Sequence, residues 1–522
     1  MDDLIQTEVL IIGSGIAGGV LALHLAEAGV PVLLVTRARE ASDSNTYYAQ
    51  GGIITRGEND SAALLAEDIH RAGAGLCNPS AVTILSEEGP PLVEKILMHK
   101  VGVAFDHEPD GRLSLGLEGG HSVPRILHAA DTTGRAIELA LIAALRANPR
   151  VTLLPGHTAI DLLTPSHHSN NRLTIYDPQS CVGAYLLDQA NDRVVRCMAK
   201  KTVLATGGLG QIFLRTTNPL GARGDGLAMA HRAGARIINA EFVQFHPTTF
   251  YRPPAPLFLI SEAVRGAGAR LVHANGDPFM QEYDAQWVDL APRDVVARSI
   301  HHEMLARDVT HVYLDLASHI ARDEILTHFP NIYQDCLAHG VDITRDLVPV
   351  VPAAHYSCGG VWVDDWGQTT IDNLYAIGEA ACTGLHGANR LASTSLLEGL
   401  VWGERTAQCI GKQLGQTPKP NPADIAPWRD AGIEDPDPAL IAQDMSSIKH
   451  IMWNYVGLVR TTPRLARALR DLRELESEIE QFYHQTRVTD GLVGLRNAVV
   501  AAIIVAAAAW ENKTSVGCHY RE

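Results

Sequence analysis

The chain has 522 residues, 46% of them hydrophobic and 20% charged, which is enough apolar material for a large core divided into about three domains. This composition excludes a disordered chain, a collagen-like repeat and a small disulfide-stabilised domain. The 59 acidic residues outnumber the 43 basic ones, and the formal net charge of −16 disfavours nucleic acid and anionic membranes as partners.

The cysteines and the apolar segments indicate the compartment. The eight cysteines lack the spacing of a zinc site, a disulfide framework or a c-type haem, so we expect no metal and a reducing cytoplasm. Residues 1–8 are acidic and lack the basic start of a signal peptide. The longest apolar run, residues 498–510, is shorter than the roughly 18 residues that cross a bilayer and predicts a buried helix. We therefore expect a cytoplasmic protein without a membrane partner.

The N-terminal segment predicts a dinucleotide-binding βαβ unit. A β-strand is expected at residues 9–12, a glycine-rich turn at 13–18, an apolar helix at 19–29 and a second strand at 32–35. The glycines let the backbone approach a pyrophosphate, which the free N–H groups of the helix N-terminus stabilise. Arg37 follows the second strand where NAD-binding proteins usually have an acidic residue, so a nicotinamide cofactor is disfavoured.

Later segments indicate that the chain leaves this domain and returns to it. Residues 202–208 and 373–379 each predict a strand that ends in a glycine turn. The insertion between them is expected to contain a helix at 293–307 and a strand at 312–314. A proline-rich segment, residues 415–438, is interpreted as a linker to a mostly helical region.

The predicted fold class is α/β. We expect a Rossmann-like nucleotide-binding domain with an inserted α+β capping domain and a C-terminal helical domain. The nucleotide-binding domain is expected in two parts, residues 1–235 and 353–417, the capping domain at 236–352 and the helical domain at 418–522.

A series of motifs in chain order resembles the succinate dehydrogenase and fumarate reductase flavoprotein family. The motifs are the glycine-rich turn at 13–18, NTYYAQGG at 45–52, GDG at 224–226, HPT at 246–248, RD at 293–294, HYSCGG at 355–360 and IGE at 377–379. The resemblance extends over essentially the whole chain and is weakest after about Pro418. Within the family, the chain most resembles the branch whose members oxidise L-aspartate.

The resemblance implies noncovalent FAD. Asn45 stands where succinate dehydrogenases have the histidine that bonds covalently to the flavin. Glu379 ends a predicted parallel strand, where ligands of open α/β sheets bind, and its carboxylate suits ribose hydroxyls. Asp225, between two glycines, has the alternative of a simple turn residue. The FAD-binding residues implied by the family are Ser14, Gly15, Ile16, Ala17, Arg37, Asn45, Thr46, Tyr47, Tyr48, Ala49, Gln50, Gly51, Gly52, Asp225, Glu379, Ser395 and Leu396.

The resemblance also implies residues for a dicarboxylic amino acid. Arg390 would form a bidentate pair with one carboxylate, and His246, Ser261 and His355 would hold the other. Glu118 would orient the substrate ammonium group, a contact that dicarboxylate dehydrogenases lack. Without the family context, the histidines would be structural and Glu118 a solvated loop carboxylate. Both histidines are expected on loops that leave the sheet.

Proton transfer is assigned by the resemblance to Arg293, which would act as general acid when fumarate is reduced. Glu262 and Arg265 would form the relay that resupplies it. From sequence alone, Arg293 is an ion-pair arginine at the start of a helix, because arginine normally stays charged. The i, i+3 spacing of Glu262 and Arg265 also suits an ordinary ion pair within a helix.

The function implied by the resemblance is oxidation of L-aspartate to iminoaspartate, with hydride passing from Cα to the flavin and with O2 or fumarate as electron acceptor. The product would feed quinolinate synthase at the start of NAD biosynthesis, and a direct complex with that enzyme is left open. One alternative is a soluble fumarate reductase or succinate dehydrogenase-type flavoprotein, disfavoured by Glu118, Asn45 and Cys358. Another is a noncatalytic FAD-binding scaffold, disfavoured because Arg293, His246, His355 and Arg390 are all retained.

Overall fold

The computed structural model of the protein describes residues 4–430 and 432–522. The start of the acidic N-terminal segment and residue 431 of the proline-rich segment lie outside these ranges. The strands are β1 (Leu4–Ile12), β2 (Val32–Thr36), β3 (Ile53–Ile54), β4 (Leu115–Gly116), β5 (Ile126–Leu127), β6 (Val151–Pro155), β7 (His157–Leu162), β8 (Gly183–Asp188), β9 (Arg193–Leu204), β10 (Ile237–Ile238), β11 (Val243–Phe250), β12 (Arg270–Val272), β13 (Val312–Asp315), β14 (Val348–Ser357), β15 (Gly360–Trp362), β16 (Leu374–Ala376) and β17 (Ala381–Cys382).

The α-helices alternate with these strands in the first part of the chain and follow one another at its end. They are α1 (Ile16–Glu27), α2 (Ala62–Ala72), α3 (Pro79–Leu92), α4 (Thr133–Ala147), α5 (Pro165–His168), α6 (Asp225–Arg232), α7 (Glu262–Gly266), α8 (Arg293–Ala306), α9 (Arg322–His328), α10 (Pro330–Ala338), α11 (Thr394–Gln413), α12 (Pro438–Tyr455), α13 (Thr462–Gln485) and α14 (Asp490–Glu511).

A seven-stranded sheet carries the nucleotide-binding fold. Its strand order is β6-β2-β1-β9-β8-β7, with β16 paired to β9. Strand β1 pairs in parallel with both β2 and β9, and its last four residues are fully buried, as the continuous apolar run predicts. The βαβ prediction is confirmed, and β16 returns the chain to the same sheet from a distant part of the sequence.

A second sheet lies in the inserted part of the chain, with the order β11-β14-β13-β12 and antiparallel pairing throughout. Helices α7 to α10 pack around it over a separate hydrophobic core that includes Phe250, Leu314 and Val350. The helix and strand expected in this region are confirmed as α8 and β13. The exact domain boundaries stay a prediction.

The C-terminal region consists of α12, α13 and α14, which pack against one another, and α14 also packs against α6. Among the described residues, α14 is the one helix that is long and apolar enough to cross a membrane, but most of its apolar window is buried inside the fold. The expectation of a buried helix is confirmed, although the helix starts at Asp490, earlier than the apolar run suggested.

The interpretation of the proline-rich segment as a linker is wrong for its first half. Ile425 is buried and pairs with Ser169, and the Tyr185 hydroxyl donates to the carbonyl oxygen of Ala426 over 2.5 Å. These contacts hold the segment against β8, because its apolar side chains complete a small core there.

Candidate functional site

One elongated cavity joins the nucleotide-binding sheet to the inserted sheet. Its empty volume, including the open mouth, is about 1770 Å³, and it extends from the turn after β1 to the facing strands β11 and β14. All of the predicted site residues line it except Tyr47 and Arg265. Tyr47 instead packs against Tyr48 and beneath the Arg135 guanidinium, and Arg265 lies behind Glu262. The structure therefore brings together residues that are hundreds of positions apart in the sequence.

The turn after β1 forms a tight backbone cradle. Gly13 has φ of +116°, and a Cβ added there would lie 2.1 Å from the carbonyl oxygen of Ala205. Gly15 is the N-cap of α1 and has no side chain to cap it, so beyond the Ile16 N–H, whose hydrogen bond Thr46 accepts, the first helical turn beside the cavity keeps N–H groups without an intrahelical acceptor. Ser14 and Ile16 tie the cradle to neighbouring loops through bonds to Ala41 and Thr46. Such a cradle fits the pyrophosphate of a dinucleotide.

Charged residues at this end of the cavity are already paired. Arg37 Nη1 lies 3.1 Å from Asp490 Oδ2, and Arg223 lies 3.1 Å from Asp490 and 3.0 Å from Asp225. Asp225 also accepts from Asn497 and is the first residue of α6, so it is more than the turn residue of the alternative interpretation. The network holds Arg37 and Asp225 in fixed positions on the cavity wall.

Glu379 follows β16, at the carboxyl end of the parallel sheet. Its two carboxylate oxygens accept from the side-chain amide of Asn45 over 2.8 Å and from the backbone N–H of Ser357 over 3.0 Å. Burial raises the pKa of Glu379 to about 7. Each oxygen keeps a further lone pair for a ribose hydroxyl.

The segment that contains Gln50 passes along the cavity wall, and the N-terminal end of α4 supports it. The backbone N–H of Gly134 in α4 donates to the carbonyl oxygen of Ala49, and a Cβ at Gly52 would lie 2.2 Å from the carbonyl oxygen of Leu127. Within the described ranges, the buried Oε1 of Gln50 has no hydrogen-bond partner. Together with the glycine cradle, this unpartnered polar atom fits FAD.

Arg390 faces the opposite end of the cavity. Its guanidinium stacks 4.4 Å from the ring centre of Tyr356, and Nη1 donates to Ser395 Oγ over 3.0 Å. The buried Nε has no partner among the residues that the structure describes. Burial and the nearby charge of Arg293 lower the pKa of Arg390, which nevertheless remains a cation at neutral pH. It can therefore bind a carboxylate.

Arg293, Glu262 and Arg265 form a buried chain of charges. Arg293 Nε donates to Glu262 Oε2 over 2.5 Å, and Arg265 Nη2 lies 3.6 Å from the other oxygen. Burial alone would raise the pKa of Glu262, but the two guanidiniums outweigh it and hold the pKa below its ordinary value. Glu262 is thus a carboxylate at neutral pH. It connects a cation on the cavity wall to one behind it.

The prediction that His246 and His355 lie on loops is wrong, because both lie within strands, β11 and β14. Their ring centres are 5.1 Å apart, and His355 Nδ1 is 2.8 Å from the Thr217 hydroxyl. Burial and the neighbouring arginines lower the pKa of both well below the ordinary value. Two neutral imidazoles therefore face the cavity.

Glu118 and Ser261 complete this end. Glu118 is 4% exposed, which excludes the alternative of a solvated loop carboxylate, and its Oε2 accepts from Ser393 Oγ over 2.6 Å. Ser261 caps α7, and its Oγ accepts from the Ala263 N–H. This end of the cavity thus holds two buried carboxylates, of which Glu262 is paired with Arg293 and Glu118 is paired with no arginine of residues 4–430 and 432–522.

Sequence reasoning missed Gln244, a buried residue that holds both arginines in place. Its amide nitrogen donates to the carbonyl oxygen of Arg390 over 2.8 Å, and its Oε1 accepts from Arg293 over 3.3 Å. Its position two residues before His246 on the same strand could have identified it, because such residues share one face. Tyr356 and Ser393 lie within or beside the motifs but were not singled out either.

Comparison with known proteins agrees with this geometry. The chain matches the FAD binding domain family over residues 8–396 and the fumarate reductase flavoprotein C-terminal family over residues 445–522. It is 45% identical to L-aspartate oxidase 1 of Ralstonia nicotianae over 98% of this chain and 94% of that protein. It is 43% identical to the chloroplastic L-aspartate oxidase of Arabidopsis thaliana over 98% of this chain and 80% of that protein.

Solved structures extend the comparison to the fold. The E. coli quinol fumarate reductase FrdA superposes with a TM-score of 0.90 at 27% identity, covering 100% of this chain and 92% of that chain. Sdh1 of Mycobacterium smegmatis superposes with a TM-score of 0.82 at 29% identity, covering 100% and 89%. The curated relatives at more than 40% identity over nearly the whole chain distinguish one branch within this fold. The chain belongs to the L-aspartate oxidase family of FAD-binding flavoproteins.

Proposed function

We propose that the protein oxidises L-aspartate to iminoaspartate with noncovalent FAD. The observation that carries this proposal is the buried carboxylate of Glu118 in the same cavity as Arg390 and Arg293. L-Aspartate has two carboxylates and one ammonium group. Arg390 supplies a cation for one carboxylate and Glu118 an anion for the ammonium group, whereas the charge of Arg293 is balanced by Glu262. A dicarboxylate without the ammonium group would leave Glu118 buried without a counter-charge.

The residues divide the recognition of this substrate between them. Arg390 binds one carboxylate, and its guanidinium is kept in place by Tyr356 and Ser395. His246, His355 and Ser261 bind the other carboxylate as neutral hydrogen-bonding groups. The two imidazoles are neutral because their pKa values are lowered, so they hydrogen-bond the carboxylate without adding positive charge to the cavity.

The reaction removes a hydride from Cα and a proton from the substrate nitrogen. When bound, FAD would accept the hydride together with the released proton, and O2 or fumarate would then take up two electrons and two protons to give hydrogen peroxide or succinate. Arg293 supplies the proton when fumarate is reduced. Glu262 and Arg265 resupply it, because Glu262 accepts a hydrogen bond from Arg293 and Arg265 lies 3.6 Å behind it in an ion pair.

The product and the compartment complete the proposal. Iminoaspartate enters NAD biosynthesis when quinolinate synthase consumes it, and we propose that the two enzymes act in succession in the cytoplasm. A direct complex between them stays part of this proposal. The cytoplasmic location is supported by the free, unbridged cysteines.

The test is anaerobic mixing of the FAD-loaded protein with L-aspartate and, separately, with succinate, while the flavin absorbance is followed. We expect bleaching by aspartate alone and recovery on addition of O2 or fumarate. Bleaching by succinate alone would instead support the fumarate reductase or succinate dehydrogenase-type alternative. No bleaching by either substrate would support the noncatalytic scaffold and refute the proposal.

A further inference from the structure

We propose that Ser393 is a positioning residue that determines the preference for an amino acid over a plain dicarboxylate, an inference that rests on the proposed function. Ser393 Oγ donates to Glu118 Oε2 over 2.6 Å, and both residues are buried on the cavity wall. A hydrogen bond to a charged carboxylate is short and directional, so it fixes the rotamer of the glutamate. Ser393 thereby acts on the substrate through Glu118.

The backbone of Ser393 departs from local preference. Ser393 immediately precedes α11, where serine normally accepts a hydrogen bond from the first helical turn. Here it has φ of +57° and ψ of +10°, a left-handed conformation, and makes no such capping bond. A non-glycine residue is held in this region only when its surroundings require it. The side chain is directed at Glu118 at the expense of the helix cap.

The remaining oxygen of Glu118 is left for the substrate. In the described part of the chain, Oε1 has no hydrogen-bond donor, and it lies 3.5 Å from the position that a Cβ on Gly51 would occupy. Gly51 belongs to the segment expected to face the flavin. Because Ser393 occupies Oε2, the free oxygen faces the region where the reacting Cα and its ammonium group must lie.

The loop that carries Glu118 is anchored independently of Ser393. The His121 N–H donates to the Glu118 carbonyl oxygen, and Ser122 donates to Asp68 through both its N–H, over 2.9 Å, and its hydroxyl, over 2.5 Å. Removal of the Ser393 hydroxyl should therefore free the Glu118 side chain while its backbone stays in place. The substitution should therefore weaken only the contact between Glu118 and the substrate ammonium group.

The experiment measures KM and kcat for L-aspartate and the inhibition constant of succinate in the FAD-loaded wild type, Ser393→Ala and Ser393→Gly. We expect KM for aspartate to rise about 10-fold in both variants, because this is the effect of losing one charge-assisted hydrogen bond. The succinate constant should change less than about 2-fold, because succinate has no ammonium group. Glycine relaxes the left-handed backbone, so agreement between the two variants assigns the effect to the hydroxyl.

Ser80→Ala is the matched control, because Ser80 Oγ also donates to a carboxylate, Asp365, over 2.7 Å, but on the exposed surface. Equal changes for aspartate and succinate, no change, or an effect in the alanine variant alone would overturn the inference. If aspartate did not reduce the flavin of the wild-type protein, the proposed function itself would be refuted. The two failures are therefore distinguishable.

Discussion

Replacement of Glu262 by glutamine tests the buried chain of charges most directly. In the structure one carboxylate serves two guanidiniums, at 2.5 Å from Arg293 and 3.6 Å from Arg265. Arg265 is 2% exposed, so the neutral amide would leave this buried cation with only the more distant charge of Asp289 to balance it. Breaking such a buried pair costs about 3–5 kcal/mol of folding free energy. We expect a clear fall in the thermal midpoint at neutral pH.

The pH dependence of this loss follows from the sign of the pKa shift. The pKa of Glu262 is held below its ordinary value in the folded protein, so its ion pairs stabilise the protein above the unfolded pKa. This contribution disappears as the pH falls through the lowered pKa. The stability gap between wild type and Glu262→Gln should therefore be widest at neutral pH and should narrow under acid conditions.

The catalytic consequence is measured by the rate of flavin bleaching with aspartate and of fumarate reduction. Loss of a proton-transfer group lowers the rate of that step about 100-fold or more. Glu303→Gln is the control, because Glu303 is a buried carboxylate paired with Arg307 over 3.0 Å outside the cavity. It should lose stability and keep the rates. If Glu262→Gln reduced fumarate at the wild-type rate and kept the wild-type thermal midpoint, the role of the buried chain of charges would be refuted.

Three further outcomes are expected. Arg390→Lys should raise KM for aspartate about 100-fold with FAD retained, because lysine cannot form a bidentate pair; Arg405→Lys, which alters a stacked arginine over Trp366 outside the cavity, should leave KM unchanged, and equal KM values in the two variants would contradict the carboxylate role. Gly13→Ala should abolish FAD retention on a desalting column because its Cβ would meet Ala205, whereas Gly29→Ala, also at positive φ but in open space, should retain FAD. The thermal midpoint should fall as the pH drops below the ordinary histidine pKa, because His246 and His355 gain protons in the unfolded protein but stay neutral when buried in the folded protein. The midpoint of His246→Gln should fall less steeply, and a pH profile equal to that of the wild type would contradict the lowered pKa of His246.

The nucleotide-binding half of the molecule was predictable because its signals are local. A β-branched run, a glycine turn and an apolar helix occur consecutively, and each constrains the next. The placement of the two histidines was not predictable in the same way. Pro247 beside His246 and Pro352 near His355 argue against strands, since proline cannot donate to a sheet. The register of β11 against β14 shifts between His246 and Thr249, and this irregularity accommodates the prolines.

The substrate end was predictable only through the resemblance, because its contacts are set by tertiary structure. Glu118 and Ser393 are 275 positions apart, and the conformation of Ser393 contradicts its local preference for a helix cap. Gln244 has no distinguishing residue type, yet it holds both arginines. Long-range pairs of this kind leave no periodicity in the sequence.

The loop that carries Glu118 links substrate preference to proton transfer. A Cβ added at the neighbouring Gly119 would lie 2.2 Å from Glu262 Oε1, so the loop backbone packs directly against the buried carboxylate. Glu118 on one side of this contact faces the cavity with Ser393, and Glu262 on the other side holds Arg293. A change that moves the loop to accept a different substrate must therefore also move Glu262. A substitution confined to the Ser393 or Glu118 side chain leaves this backbone contact in place, whereas a substitution at Gly119 would disturb both the loop and Glu262.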